Sequence, residues 1–325
     1  MTEASNNQSS SSQVLKSKKL TQVNFNFKAM GSPCEIRIYA TSHSEAANLI
    51  SQACQDIERL ENKYSRYLQD NLLFRVNEAA RLGESIEIDD EFESLLNYAD
   101  TCYQQSEGLF DITSGSLRKV WNFKEAIIPT QAQIDQCLES IGWQHVKRSK
   151  NKLQFTRKNM ELDFGGIVKE YAVDTTAAIL QNAGIQHGLV DLGGDIKIIG
   201  PHPNNDPWRV HIRHPRKEGV SIAAIDIGRG AIASSGDYER KIEIDGKRYG
   251  HIISPQTGWP VTGVSAVSVV SSQCVIAGSA CTIAMLQEEH AATWLEDLGL
   301  PYLSVATDGS KQAGPTDKDT FVWLE

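Results

Sequence analysis

Chemistry-bearing residues gather first in Leu162–Asp174, which reads LDFGGIVKEYAVD. Asp163, the Gly165-Gly166 pair and Lys169 fall where a strand-like run gives way to a helical one. Two adjacent glycines let a backbone pass close to a bulky ligand. A helix N-terminus just behind them offers free N–H groups and a positive dipole end, which suits phosphate. Lys169 adds a mobile positive charge and Asp163 a hydrogen-bond acceptor. The chemistry this allows is the cradling of a nucleotide or pyrophosphate. A plain tight turn before a helix has the same glycines.

Other segments carry weaker signals. Gly193-Gly194-Asp195 lies inside a strand pattern, where glycine marks a bulge or the close approach of another group. His251 opens a short apolar strand that runs into a Pro255–Gly258 turn, and it reads as structural or as chemical. Ser235-Gly236-Asp237-Tyr238 reads as a polar turn with the same ambiguity. Ala277–Thr282 (AGSACT) opens a helix with small residues, which fits close helix packing. Gly228-Arg229-Gly230 with Ala233 has the GxGxxA spacing of a dinucleotide site. No helix or βαβ frame follows it, so it reads as a loop between strands. There is no HExxH, no P-loop and no zinc-type spacing of His and Cys.

These residues need elements to position them. Val23–Tyr39 reads as two short strands around a Met30–Pro33 turn, with Cys34, Ile36 and Ile38 alternating against Glu35 and Arg37. Ser42 and Glu45 form a capping-box pair ahead of a helix with Ala46, Ile50, Ala53, Ile57 and Leu60 on one face. Asp89 caps a second helix bearing Phe92, Leu95, Leu96, Ala99 and Cys102. Ser106–Leu117 is a turn-rich loop. Lys152–Thr156 and Glu161–Phe164 read as a hairpin. A third helix runs from about Ile167 to Ala183. Gly188–Ile199 reads as one interrupted strand, followed by strands at Arg209–Arg213, Ala223–Ile227, Lys241–Ile244 and Ala266–Val270. Helices at Val275–Leu286 and His290–Leu298 and a last strand at Tyr302–Ala306 complete the pattern. Strands and helices mix without regular βαβ alternation, which favours an α+β fold.

The composition sets outer bounds. The chain has 325 residues, 40% hydrophobic, enough for a full core. A net charge of -9 argues against a nucleic-acid partner, which would call for a basic stripe. The Ser/Asn/Gln-rich start reads as a disordered tail over residues 1–22, leaving one domain over 23–325. No apolar run suits a secretory signal or a membrane span, so the expected location is cytoplasmic, with no membrane insertion. None of the six cysteines forms a CxxC pair, and Cys54 and Cys102 read as buried free thiols.

Taken together and in order, several blocks resemble the ApbE family of FAD:protein FMN transferases. They are Ala29–Ser32, Ser65–Tyr67, Gly108–Asp111, Leu162–Asp174, Val190–Ile196, Trp208–Pro215, Ser235–Asp237, His251–Pro260 and Ala277–Thr282. The resemblance implies a single domain of mixed sheets packed with helices. It implies an enzyme that uses Mg²⁺ to split FAD and places FMN on a threonine or serine hydroxyl of an acceptor flavoprotein, releasing AMP. Met30, Tyr67, Leu109, Phe110, Asp111, Asp163, Lys169 and Ile252 match positions that contact FAD. His251 is the candidate phosphate-facing or proton-transfer group, catalytic together with Lys169. The metal is implied on the Gly166 carbonyl and the Thr282 hydroxyl, with Cys281 contributing backbone. The alternatives are a non-catalytic FAD-binding protein and an FAD pyrophosphatase that yields FMN and AMP.

The chain departs from the family pattern twice. Lys169-Glu170-Tyr171 replaces Lys-Gly-Tyr, and Glu170 is expected on an exposed helix face. Gly278 stands where the family has an aspartate four residues before the metal-binding threonine. Magnesium prefers oxygen ligands including a carboxylate. Ser279, waters or a carboxylate from elsewhere, such as Asp195, are the candidate substitutes, and Gly278→Asp is expected to strengthen metal dependence.

Overall fold

The computed structural model describes residues 19–315 and 321–324. β1 (Thr21–Ala29) and β2 (Ser32–Ala40) form a hairpin around Met30 and Gly31, which carry φ values of 50° and 75°. Two positive φ angles are what a two-residue hairpin turn of matching twist requires. The expected boundary after residue 22 therefore falls inside the first strand. Residues 1–18 of the expected tail lie outside the described residues.

Next come α1 (His43–Tyr64), α2 (Leu72–Leu82), β3 (Ser85–Glu87) and α3 (Asp90–Gln105). The Ser42 hydroxyl accepts from the Glu45 N–H at 3.2 Å and caps α1. The Glu45 carboxylate instead accepts from Thr41, at 2.6 Å, so the capping box is half formed. Asp89 caps α3 by accepting from the Phe92 N–H at 2.9 Å. α4 (Gln131–Leu138) precedes β4 (Val146–Ser149) and β5 (Lys152–Phe155), and α5 (Val168–Asn182) follows.

The second half is mostly sheet. It runs through β6 (Gly188–Leu192), β7 (Asp195–Gly200), β8 (Trp208–Arg213), β9 (Ser221–Ile227), β10 (Gly230–Gly236), β11 (Lys241–Ile244), β12 (Lys247–Gly250) and β13 (Val264–Ser271). α6 (Cys274–Leu286) and α7 (Ala291–Leu298) lead to β14 (Tyr302–Ala306), β15 (Lys311–Gly314) and β16 (Phe321–Trp323).

Among the described residues, the main sheet has eight strands in the order β1-β2-β6-β7-β10-β13-β14-β15, paired antiparallel throughout. Its strands alternate between two cores, as a period of two dictates. Ala231 and Ala233 of β10 and Val267 and Val269 of β13 face the helical core with α1, α5 and α6. Ile232 of β10 and Ala266 of β13 face a second core closed by Trp208, Ile212, Ile222 and Ile225 from β8 and β9. Fully burying one such isoleucine contributes about 1.5–3 kcal/mol, so both faces hold the sheet in place. The fold is α+β, as expected.

Three local expectations are corrected. Gly188–Ile199 is not one strand but the β6–β7 hairpin. Gly193 and Gly194 form its turn with φ of 71° and 95°, and a Cβ on Gly193 would lie 2.7 Å from that of Ser32. Lys152–Phe155 pairs with Val146–Ser149 rather than with Glu161–Phe164. Of the expected turn Ser235–Tyr238, only Asp237 and Tyr238 lie in a turn, and Ser235 and Gly236 instead end β10, a central strand. Its small residues lie under α6, where larger ones would hold the helix off the sheet.

Candidate functional site

The site is built on the start of α5. Val168 and Ile167 both donate to the Phe164 carbonyl, at 3.0 and 2.9 Å, and Asp163 accepts from the Gly165 N–H at 2.8 Å. The N-cap residue, Ile167, has no side chain to satisfy the first-turn amides. Gly166 lies against the Phe110 ring, where an added Cβ would sit 3.4 Å from its edge and 4.0 Å from the Thr282 hydroxyl. Lys169 reaches across to β7, with Nζ 2.7 Å from Oδ2 of buried Asp195. That oxygen has no hydrogen bond of good geometry, so the contact is chiefly Coulombic. Burial alone would lower the lysine pKa. The charges of Asp195 and Glu170 outweigh it and hold the ammonium well above its ordinary value, so Lys169 is charged.

A cleft of about 190 Å³ opens in front of this pair. Leu109, Phe110, Asp111, Asp163, Gly166, Lys169, His251, Ile252 and Thr282 line it together, although they come from four separate stretches of chain. Arg118 joins them, with Nε 3.1 Å from Asp163 Oδ2. His251 Nδ1 is buried without a hydrogen-bond partner. Burial, then the positive charges of Arg118 and Arg240, push its pKa down to about 4, so the ring is neutral near pH 7. Of these two causes, burial disfavours any charge, and it is the positive charges of Arg118 and Arg240 that would attract an anion.

Three expected residues stand apart from the lining. Tyr67 is 72% exposed. Arg66 stacks over its ring at 4.7 Å, donates to its hydroxyl at 3.0 Å and stands 3.8 Å from Asp163 Oδ2. Tyr67 is therefore joined to the site through Arg66, at its rim. Burial would raise the phenol pKa, but the Arg66 bond and nearby arginine charges bring it down. Met30 sits in the β1–β2 turn, packed on the edge of the helical core. Cys281 is buried, and its thiol donates to the Ala233 carbonyl at 3.2 Å. Asp111 does line the cleft, but its carboxylate is occupied. It accepts from Thr113 N–H and Oγ1 at 2.8 and 2.7 Å and from Trp143 N–H at 3.0 Å. Burial still pushes its pKa up.

Glu170 corrects the expectation of an exposed helix position. It is 7% exposed, lines the cleft, and leaves Oε2 without a hydrogen-bond partner. Burial, then the Asp195 charge, raise its pKa. Ser279 does not serve as a stand-in ligand, because its hydroxyl is engaged with Tyr98 at 2.6 Å and with the Val275 carbonyl at 2.9 Å. Arg118, Glu170 and Glu239 are charged lining residues missed from sequence. Glu170 carried a signal, being an acidic residue next to Lys169 in a first helical turn. Arg118 carried none. Among the described residues, no group of three or more His, Cys, Asp or Glu is arranged to hold a metal. A cation here would need mixed oxygen donors.

Fold and site together define an α+β protein with an ion-paired lysine at a helix start and a cleft suited to an anion. The ApbE family model matches residues 30–303. An FAD:protein FMN transferase of Vibrio cholerae serotype O1 is 29% identical over 315 residues, covering 94% of each chain. One of Chlamydia pneumoniae is 30% identical over 275 residues, covering 79% of this chain and 85% of that one. The crystal structure of the ApbE protein from Thermotoga maritima superposes with a TM-score of 0.83 at 26% identity, covering 90% of this chain and 97% of that one. The flavin transferase ApbE from Vibrio cholerae gives 0.82 at 28% identity, covering 91% and 98%. The chain belongs to the ApbE family. Among its described residues, no helix is long and apolar enough to cross a membrane.

Proposed function

We propose that this chain is an FAD:protein FMN transferase, moving FMN from FAD to a threonine or serine hydroxyl of an acceptor protein with release of AMP. The observation that carries the reading is that charged Lys169, ion-paired to Asp195 at the start of α5, lines one cleft with a neutral His251 whose Nδ1 has no hydrogen-bond partner. The cleft is smaller than the roughly 300 Å³ at which sites for drug-sized ligands begin. It suits the phosphates, with the rings of FAD laid along the rim toward Ile252 on one side and Tyr67 on the other.

The transfer breaks the bond between the FMN phosphorus and the bridging pyrophosphate oxygen, which stays on AMP, and forms a P–O bond from that phosphorus to the acceptor oxygen. The electron pair leaves with AMP. His251, neutral at pH 7, takes the hydroxyl proton, and Lys169 and Arg118 offset charge on the phosphoryl oxygens. A divalent cation fits the donor chemistry present. The Gly166 carbonyl and the Thr282 hydroxyl would hold it, with Cys281 contributing backbone, beside a buried carboxylate oxygen of Glu170 that lacks a partner. When bound, Mg²⁺ would neutralise phosphate charge. The expected single domain, started at the first strand rather than at residue 23, and the expected cytoplasmic location fit an enzyme of this kind.

Incubation with FAD, Mg²⁺ and an acceptor tests the reading. Covalent flavin fluorescence on the denatured acceptor, with AMP released, is the expected result. FMN and AMP without label would make the protein a pyrophosphatase. FAD bound but unchanged would make it a binder.

A further inference from the structure

The two departures from the family pattern meet in space. A Cβ built on Gly278 would lie 2.4 Å from Cγ of Glu170, 3.0 Å from its Cδ and 3.2 Å from Oε1. Glu170 therefore occupies the volume into which any side chain at 278 would grow. Gly278 is buried in the interior of α6, where glycine is unfavourable for the helix. No turn or positive φ calls for it there. The room it leaves is taken by a carboxylate delivered from the neighbouring helix α5.

Position matters as much as volume. Residues 278 and 282 stand one turn apart on the same face of α6, so a side chain over 278 is next to Thr282. Glu170 and Thr282 line the same cleft, together with Gly166. Oε2 of Glu170 is buried with no hydrogen-bond partner, which is costly for a carboxylate unless a cation completes its shell. Asp195 is already committed to Lys169.

We infer that Glu170 is the metal-binding carboxylate of this chain, exchanged between helices so that α5 supplies what the family pattern takes from position 278. This rests on the metal-dependent reading of the site above. It also reverses the expectation for Gly278→Asp. An aspartate there collides with Glu170 and adds a like charge, so the single change weakens metal binding instead of strengthening it.

Binding of Mn²⁺ alone, followed by electron paramagnetic resonance, separates the possibilities. Thermal melting of each variant confirms folding. Wild type is expected to bind. The isosteric Glu170→Gln should lose about tenfold or more in affinity. Glu170→Gly combined with Gly278→Asp should recover to within about threefold of wild type, because the carboxylate returns from the other helix. Wild-type affinity in a folded Glu170→Gln overturns the inference and leaves the metal reading standing. So does a folded double variant with no recovery. Failure of wild type to bind Mn²⁺ removes the metal reading and the inference with it.

Discussion

Lys169→Met removes the charge that faces Asp195. Side-chain exposures of 27% for the lysine and 4% for the aspartate put the loss on a carboxylate that water cannot reach. Breaking a buried pair from one side costs about 3–5 kcal/mol, and the partial exposure of the lysine places this case near 3 kcal/mol. With a urea slope near 3 kcal/mol/M, roughly that of a chain this size, the unfolding midpoint should fall by about 1 M. Adding Asp195→Asn removes the stranded charge, so the double variant should regain most of the lost stability. It should not regain activity, because the charge opposite the phosphate is still missing. A loss of about a hundredfold or more in kcat/KM is expected in both variants. A double variant as unstable as Lys169→Met would refute the ion-pair account and assign the cost to lost packing.

Three further outcomes follow from the geometry of the site. His251→Ala should lower kcat by about 10²–10⁴ with little change in KM for FAD, and the pH profile of wild-type kcat/KM should lack an acid limb near 6.5. The folded pKa of His251 is depressed, so its neutral form contributes stability that is fully present above the unfolded value of about 6.5. That contribution, at most about 3 kcal/mol, is lost as pH falls toward 4, and His251→Ala should flatten this part of the unfolding curve. Asp111→Ala strands the Thr113 and Trp143 amides, so it should cost about 3 kcal/mol in urea unfolding. An unchanged midpoint would show that the loop holds itself.

Local physics made much of the fold legible. Ser42 and Asp89 cap their helices through their own side chains, and the apolar faces of α1 and α3 repeat at 3.6 residues. Asn71, with Leu73, Val76 and Ala80 behind it, carried the same kind of signal for α2, which was not assigned. β10 was hidden because Ala-Ile-Ala-Ser-Ser-Gly is a weak strand former that owes its place to neighbours on both sides. Gly193-Gly194 signalled a special backbone, but only pairing across β6 and β7 distinguishes a hairpin turn from a bulge. In the site, the motif around Lys169 was readable because its glycines, acid and lysine are contiguous. The relation of Glu170 to Gly278 was not, since it joins residues 108 positions apart on two packed helices. Taken singly, one looked like a surface acid and the other like a lost ligand.

The central claim is that this cleft transfers FMN to protein. Intact mass measurement of an acceptor after incubation with FAD, Mg²⁺ and wild-type protein tests it most directly. The account predicts a gain of one FMN per acceptor, absent with Lys169→Met and absent when the acceptor hydroxyl is removed. An acceptor of unchanged mass in a reaction that has consumed FAD would contradict it.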